Sequence, residues 1–361
     1  MIPSILLAAP VAFSLVFPYS YAVTTGPRAT FCNGFSDLCG RSYGNITFVG
    51  AHDSYAVGVS NLFVNQDYDV IQQLNDGVRL LQMQAHNQNG TIQLCHTSCS
   101  LFNGGTLQNY LTSVKSWMDS NTNDVVSLLI VNSDNIAPSQ YGTVFKAVGL
   151  DVLSYTPTAA VTAATAWPSL GSMIDSGKRL VTFMDTGADF TTVPYIIDEF
   201  TNVWETAFDV TDTTFDCNVN RTKGVASAEL YLINHFLDKI VLGQPAPDPD
   251  QANTTNAVSG TGSLGLQVQT CAAAYGRNPN FMLVDFYEFG GGSVFQVAAS
   301  ANGVTYNPSK PVPSPRSTET GTTSTSATST PNGAVGGFQD GDLIIPAMLS
   351  VGLLGGWLTV A

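Results

Sequence analysis

Val125 to Val131 is apolar at nearly every position, and that run limits the fold more than any other stretch of this 361-residue chain. A half-exposed strand alternates apolar with polar residues, whereas a strand without alternation is covered on both faces, as in a parallel sheet packed under helices. The surrounding sequence repeats the theme. Ile46 to Ala51, Val78 to His86, Thr91 to His96, Leu180 to Met184, Leu230 to Ile233 and Phe281 to Val284 read as strands, with one more expected inside Tyr195 to Phe208. Helical spacing falls between them at Asp67 to Asn75, Thr106 to Asp119 and Gly142 to Val148. Such alternation is the pattern of parallel βα units, and residues 23 to 312 make a body the size of one α/β barrel. Asp151 to Trp167 and Gly243 to Gly265 are expected to be long loops.

Both ends lie outside that body. Met1 to Ala22 is an apolar leader without acids that closes on Ser20-Tyr21-Ala22, which suits a secretory cleavage site. Residues 313–332 are a Pro, Ser and Thr stalk of the O-glycosylated kind. Residues 333–361 give a polar spacer and then an uncharged apolar tail, the order of a glycosylphosphatidylinositol signal that is removed when lipid is added, here at Asn332. A transmembrane helix is the rival reading of the tail; Pro346, several glycines and the lack of a basic cluster after it favour the anchor. The expected location is therefore secreted and cell-surface, held on the plasma membrane or the cell wall.

Six cysteines in a secreted chain should pair. Spacing suggests Cys32 with Cys39, Cys95 with Cys99 and Cys217 with Cys271, although six cysteines allow fifteen connectivities. Sequons at Asn45, Asn89, Asn220 and Asn253 fit a glycosylating route. With 13 lysines and arginines against 27 acids, the net charge is −14, which repels nucleic acid and leaves any phosphate site to be built locally.

The chemistry-bearing residues stand at the ends of the strand-like runs, where barrel enzymes keep their catalytic groups. His52 follows the first run and is itself followed by Asp53; His96 closes the third. Two of only four histidines so placed can serve as general base and general acid. If His86 points into the barrel, Gln84, Gln82 and Leu80 do too, and Arg79, Leu81 and Met83 face the helices. A stack of two glutamines and a histidine is either a binding surface or a buried amide network. Arg79 reads as a structural ion-pair partner, His235 as a satisfied core histidine, and Tyr287 and Trp204 as core aromatics. Asp185 ends a later strand and either lines the pocket or caps a turn.

Gly50-Ala51-His52-Asp53-Ser54, Gly77-Val78-Arg79, Ile92-Gln93-Leu94-Cys95-His96 and Leu283-Val284-Asp285-Phe286, taken in order, resemble the phosphatidylinositol-specific phospholipase C type phosphodiesterases, among them the fungal secreted PLC-like proteins. The resemblance spans most of residues 40 to 300 and implies an irregular TIM (β/α)8 barrel. It implies that His52 takes the proton of an inositol hydroxyl that attacks phosphorus, that His96 protonates the departing glycerol oxygen, that Asp285 orients His52, and that Asp53 assists His96 or a neighbouring cation. The implied partner is a phosphodiester, a phosphoinositide-like small molecule or a lipid head group.

The family balances the phosphorane charge with an arginine or a calcium ion, and at those places this chain has Gln82 and Gln84, with Asn132 near the end of the expected fourth strand. Gln82, Gln84, His86, Asn132 and Asp185 are the expected substrate-binding residues. No metal or other cofactor is expected, since glutamines are poor replacements for hard anionic calcium ligands. A cation recruited from Lys178, Arg179, Arg221, Lys223 or Arg277 would keep the enzyme reading. The alternatives are a different phosphodiester, as in the sphingomyelinase D group, and a weak or inactive surface protein that binds inositol or carbohydrate.

Overall fold

A computed structural model describes residues 28–316. The leader, the attachment residue Asn332, the apolar tail and most of the stalk lie outside the described residues.

The chain enters through a loop segment closed by the Cys32–Cys39 disulfide and then runs into β1 (Phe48–Ala51). Helix α1 (Val70–Asp76) follows; Asp69 accepts a hydrogen bond from the Gln72 N–H at 3.0 Å to cap it, and Gly77, at φ +120°, ends it. The expected helical start at Asp67 moves inward by three residues, because Asp69 takes the capping role. Next come β2 (Leu80–Gln88), β3 (Thr91–His96), β4 (Phe102–Thr106) and α2 (Leu107–Ser120). The Thr106 side chain caps α2, whose Leu107, Tyr110, Leu111, Val114 and Met118 are buried on one face, joined by Trp117.

β5 (Val126–Asn132) is the apolar run, and α3 (Pro138–Val148) carries proline in its first turn and ends at the left-handed Gly149. Then follow α4 (Leu170–Asp175), β6 (Leu180–Met184), β7 (Ile196–Asp198) and β8 (Val203–Glu205). The remainder is β9 (Leu230–Asn234), β10 (Asp238–Val241), β11 (Gln244–Pro247), α5 (Ala252–Thr255), α6 (Leu264–Tyr275), β12 (Phe281–Val284) and α7 (Ser293–Ala301).

Eight strands run parallel in the order β7, β6, β5, β2, β1, β12, β9, β8. The last strand, β12, pairs with the first, Phe48 opposite Phe281 through Ala51 opposite Val284. This is an irregular (β/α)8 barrel. It is irregular because β7 and β8 do not pair: only a single turn of 3-10 helix, Glu199–Thr201, joins them, and the cylinder is open along that line. The expected strand inside Tyr195 to Phe208 is thus two short strands flanking a seam.

Strand alternation divides the core. Phe48, Leu80, Leu129, Phe183, Val203, Leu232 and Phe281 fill the barrel interior. Val49, Ala51, Leu81, Met83, Leu128 and Ile130 face the helices, against α2 and α3 residues such as Leu111 and Phe145. The floor is closed by Tyr43, whose hydroxyl meets Ser127 Oγ at 2.7 Å and whose ring packs on Phe48 and Trp167.

One expected barrel strand belongs elsewhere. Thr91 to His96 is a strand, yet it folds back antiparallel on β2, Gln88 opposite Thr91 and Ala85 opposite Leu94. The cause is Asn89-Gly90, both at positive φ (52° and 81°), a two-residue hairpin turn that reverses the chain. β5 is therefore the third barrel strand, not the fourth, and Gly243 to Gly265 contains β11 and α5 where a loop was expected. Contacts also continue past residue 312: the Tyr68 hydroxyl donates to the Ser314 carbonyl at 2.6 Å and Arg316 donates to the Asp67 carbonyl at 2.9 Å.

Candidate active site

At the carboxyl end of β1 the backbone turns sharply, with Asp53 at φ +37°. That conformation is unfavourable for a side chain with a Cβ, and two glutamines of β2 stabilise it. Gln82 Oε1 accepts the Asp53 N–H at 2.6 Å, and Gln84 Nε2 donates to Asp53 Oδ2 at 2.9 Å. Gln84 Oε1 also accepts the Thr97 N–H at 3.0 Å, one residue beyond His96. The glutamines point inward as the alternation required. The contacts they make hold Asp53 and the His96 loop.

His52 is buried, and its ring lies flat on Phe236, with centroids 3.7 Å apart. Its Nδ1–H donates to Asp285 Oδ1 at 2.9 Å, and the same oxygen accepts from Asn65 Nδ2 at 3.0 Å. Burial alone would lower the His52 pKa; the Asp285, Asp53 and Asp238 carboxylates outweigh it and raise it to about 9. Gln66 ties the neighbouring backbone together by donating to the carbonyls of His52 and Val284 at 2.8 and 3.1 Å.

His96 reaches the same place from the β2–β3 hairpin. Its Nδ1 lies 2.8 Å from the Phe63 carbonyl, which can only accept, so Nδ1 carries the proton and Nε2 is the free nitrogen. The Cys95–Cys99 disulfide closes the loop that follows. Asp53 Oδ2 then stands 3.9 Å from His52 Nε2 and 3.7 Å from His96 Nε2. Both reactive nitrogens face one carboxylate oxygen, so they are less than about 8 Å apart and can flank one phosphate group. Burial raises the pKa of Asp53, and the two histidines partly offset that rise.

His52, Asp53, His96 and Asp285 are therefore brought together. His86, Asn132 and Asp185 have no contact with that group. His86, on the hairpin arm of β2, has its Nδ1 3.4 Å from Asp134 in the turn after β5. The Asn132 amide is spent on its own loop and on the one after β6, with donors to the Ile136 and Thr186 carbonyls and an acceptor for Ile136 N–H and the Tyr141 hydroxyl. Asp185 Oδ1 accepts the Asn132 N–H at 2.8 Å. His235 is a core residue as read: its nitrogens contact Gln267 and Thr255 O, and burial holds its pKa down at about 4.

Asn65, Gln66, Phe236 and Asp238 were not singled out from the sequence. They come from loops whose course no local pattern announces. Asp238 opens β10, two residues after the ring that covers His52, and only 5% of its surface is exposed.

Lys178, Arg179 and Arg277 are bound to backbone carbonyls at the amino ends of their strands, away from the histidines. Arg221 pairs with Glu205 and lies over the Phe208 ring, and Lys223 pairs with Asp198 at 2.7 Å. These two stand at the correct end of the barrel, beside the seam, without touching either histidine. Among the described residues no three His, Cys, Asp or Glu side chains are arranged to hold a metal ion. Gln82 and Gln84 are both engaged with Asp53. A cavity of about 790 Å³ lies at the other end of the barrel, lined by Phe31, Asp76, Arg79 and Tyr306 among others, and holds none of the site residues.

The PI-PLC X 1 family model matches residues 38–302 of the chain. The chain belongs to the PI-PLC X family. A protein of Arthroderma benhamiae named "Uncharacterized secreted protein" is 47% identical over 286 residues, 76% of this chain and 65% of that protein. A second from the same organism, "PI-PLC X domain-containing protein 1", is 41% identical, covering 76% of this chain and 90% of that one. The phosphatidylinositol-specific phospholipase C of Listeria monocytogenes superposes with a TM-score of 0.50 at 12% identity, over 75% of this chain and 98% of that chain. The enzyme from Staphylococcus aureus, as a double mutant, gives the same TM-score at 15% identity, over 75% of this chain and 96% of that chain. At such identities the PI-PLC X chain shares the barrel with these bacterial proteins, and its chemistry has to be argued from its own residues.

Proposed function

We propose that this PI-PLC X protein is a secreted phosphodiesterase of phospholipase C type. His52 Nε2 removes a proton from a head-group hydroxyl, whose oxygen attacks phosphorus. The bond from phosphorus to the glycerol oxygen breaks, and His96, acting as an imidazolium with a proton on each ring nitrogen, gives its Nε2 proton to that oxygen. With phosphatidylinositol the products are a cyclic inositol phosphate and diacylglycerol.

The observation that carries this reading is the shared approach of both Nε2 atoms to Asp53. The division of roles follows from the opposite ring nitrogens: His52 is backed by a carboxylate, which supports the imidazolium formed when it acts as base, and His96 by a neutral carbonyl. The name of the Arthroderma relative supports secretion, as do the apolar leader over 1–22 and the three disulfides. The four sequon asparagines are exposed, which suits glycosylation. On this reading residues 23–312 hold the catalytic barrel, the stalk follows, and lipid at Asn332 keeps the enzyme on its own membrane or wall.

The binding-protein reading draws on one specific fact: among the described residues no lysine or arginine contacts His52 or His96. Missing charge stabilisation costs several kcal/mol in a transition state. Phosphorus NMR of the purified ectodomain with phosphatidylinositol and chelator separates the two. A cyclic phosphate signal that disappears in His52→Ala establishes metal-independent cleavage; no product with any phosphodiester tested leaves the binding reading.

A further inference from the structure

Two loops hold His52 in place, one after β1 and one after β12, and they are tied to each other twice. Near the ring, Asn65 Nδ2 donates to Asp285 Oδ1 at 3.0 Å, and the Phe286 N–H donates to the Asn65 carbonyl at 2.8 Å. Gln66 follows, with its amide on the His52 and Val284 carbonyls. The second tie lies beyond both, where the Glu288 carboxyl group hydrogen-bonds the Asp67 side chain. Asp67 is 5% exposed and Glu288 is fully buried.

Two carboxylates form no hydrogen bond without a proton between them. Among the described residues no N–H or O–H group donates to either Glu288 oxygen, whereas Asp67 Oδ2 already accepts the Arg316 N–H. The titratable groups that act on Glu288, or on which it acts, are Asp67, Asp76, Tyr68 and Tyr287, none of them a cation; Arg316 lies on the outer side, beside Tyr68. Burial, helped by Asp67 and Asp76, raises the Glu288 pKa to about 9. Residues 306–316 cover this tie from outside. Tyr306 stacks on Phe295 of α7, the Tyr68 hydroxyl holds the Ser314 carbonyl, and Arg316 holds Asp67 through its N–H and its guanidinium.

We propose that Glu288, as a neutral acid, donates its proton to the Asp67 carboxylate, and that this tie, fastened from outside by residues 314–316, is a positioning device for His52 and Asp285. Three consecutive residues then connect the start of the stalk to the catalytic base: Asp67 takes the strap, Gln66 the His52 carbonyl and Asn65 the Asp285 carboxylate. The effect on turnover rests on the phosphodiesterase reading; the effect on the His52 ring does not.

The test compares the full secreted chain as wild type, Glu288→Gln, Glu288→Ala and Arg316→Pro. A glutamine amide donates to Asp67 as the neutral acid does, and alanine does not. Proline at the exposed position 316 removes both the N–H and the guanidinium that hold Asp67. At neutral pH the infrared difference between wild type and Glu288→Gln should contain the carbonyl band of a protonated carboxylic acid. By NMR the His52 midpoint should stay in place in Glu288→Gln and fall by about one unit in Glu288→Ala and Arg316→Pro, about tenfold in proton affinity. With phosphatidylinositol, kcat should be kept in Glu288→Gln and fall about tenfold or more in the other two, the scale of a displaced catalytic group.

Absence of the band overturns the shared proton, and so does a Glu288→Gln variant as impaired as Glu288→Ala, which would mean that a negative charge is needed there. A His52 midpoint unmoved in Arg316→Pro overturns the positioning role, and that variant decides the matter even if Glu288→Ala fails to fold. A displaced midpoint in a protein that cleaves no phosphodiester keeps the device and removes the enzyme; cleavage with an unmoved midpoint removes the device and keeps the enzyme.

Discussion

His52 and Asp285 are 233 positions apart in the chain and 2.9 Å apart in the fold, because β1 and β12 are neighbours in the barrel and each ends one residue before its member of the pair. The pairing of first and last strands is therefore a condition for having a basic histidine at all.

Asp285→Asn should keep the fold, since the amide oxygen can still accept the Nδ1–H. It removes the charge, so the His52 titration seen by NMR should fall from about 9 toward the ordinary histidine range. Turnover should drop by about 10²–10⁴-fold, the span assigned to a general base. An unchanged His52 midpoint would mean that Asp285 is not what supports the ring's charge.

The pH profile should be alkaline. A base whose conjugate acid has a pKa of about 9 is mostly protonated at neutrality, so kcat/KM should rise with pH to a limb near 9. For stability the sign is opposite. The folded value lies above the unfolded 6.5, so the stabilisation from charged His52, about 3 kcal/mol, is complete below pH 6.5 and lost as pH climbs through 9. His235, held near 4, works from the acid side: its contribution is present above 6.5 and is lost as pH falls through 4. Urea denaturation across pH 4 to 10 should show a dome.

Two disulfides should separate stability from activity. Cys217–Cys271 spans 54 residues and lies far along the chain from the histidines; Cys95–Cys99 spans four and flanks His96. By the loop-entropy relation, removing the first costs about 4 kcal/mol and the second about 2. Paired serine variants should show the larger fall in melting temperature for 217/271, and the larger fall in kcat for 95/99.

Gln82→Ala should hurt both properties. It leaves the Asp53 N–H without its buried acceptor at a residue already in a left-handed conformation, a cost of about 1–3 kcal/mol. Gln84→Ala frees Asp53 Oδ2 and the Thr97 N–H with a smaller stability change, because its site is only half-buried. Thermal melts and initial rates on the two variants give the comparison.

Much of this arrangement was legible in the sequence where the information is local. β5, β6 and β12 fall where their apolar runs do, and the face of α2 is set by its spacing. His52 and Asp285 were visible because each follows such a run. The hairpin that brings His96 back over the barrel was written in Asn89-Gly90, which read first as a glycosylation signal. Phe236 and Asp238 left no comparable trace. Their positions depend on where a loop after β9 lies across β1, and such loops are placed by tertiary contacts. For the same reason Asn132 and Asp185 sit at strand ends, as expected, yet their contacts tie the loops after β5 and β6 to each other.

The unpaired line between β7 and β8 makes the barrel a split ring. β7 pairs with β6 and β8 with β9, and between them run one turn of 3-10 helix and the 220–223 segment, whose Arg221 bonds Glu205 of β8 and whose Lys223 bonds Asp198 of β7. A closed ring resists widening through every bond at once; a split one widens by parting at the cut, and amides along Ile196–Asp198 and Val203–Glu205 should surrender their hydrogens to solvent before those of β1 and β12. The histidine pair is built on the strands diametrically remote from that cut, so the girth of the barrel can vary while the distance between the two rings stays fixed.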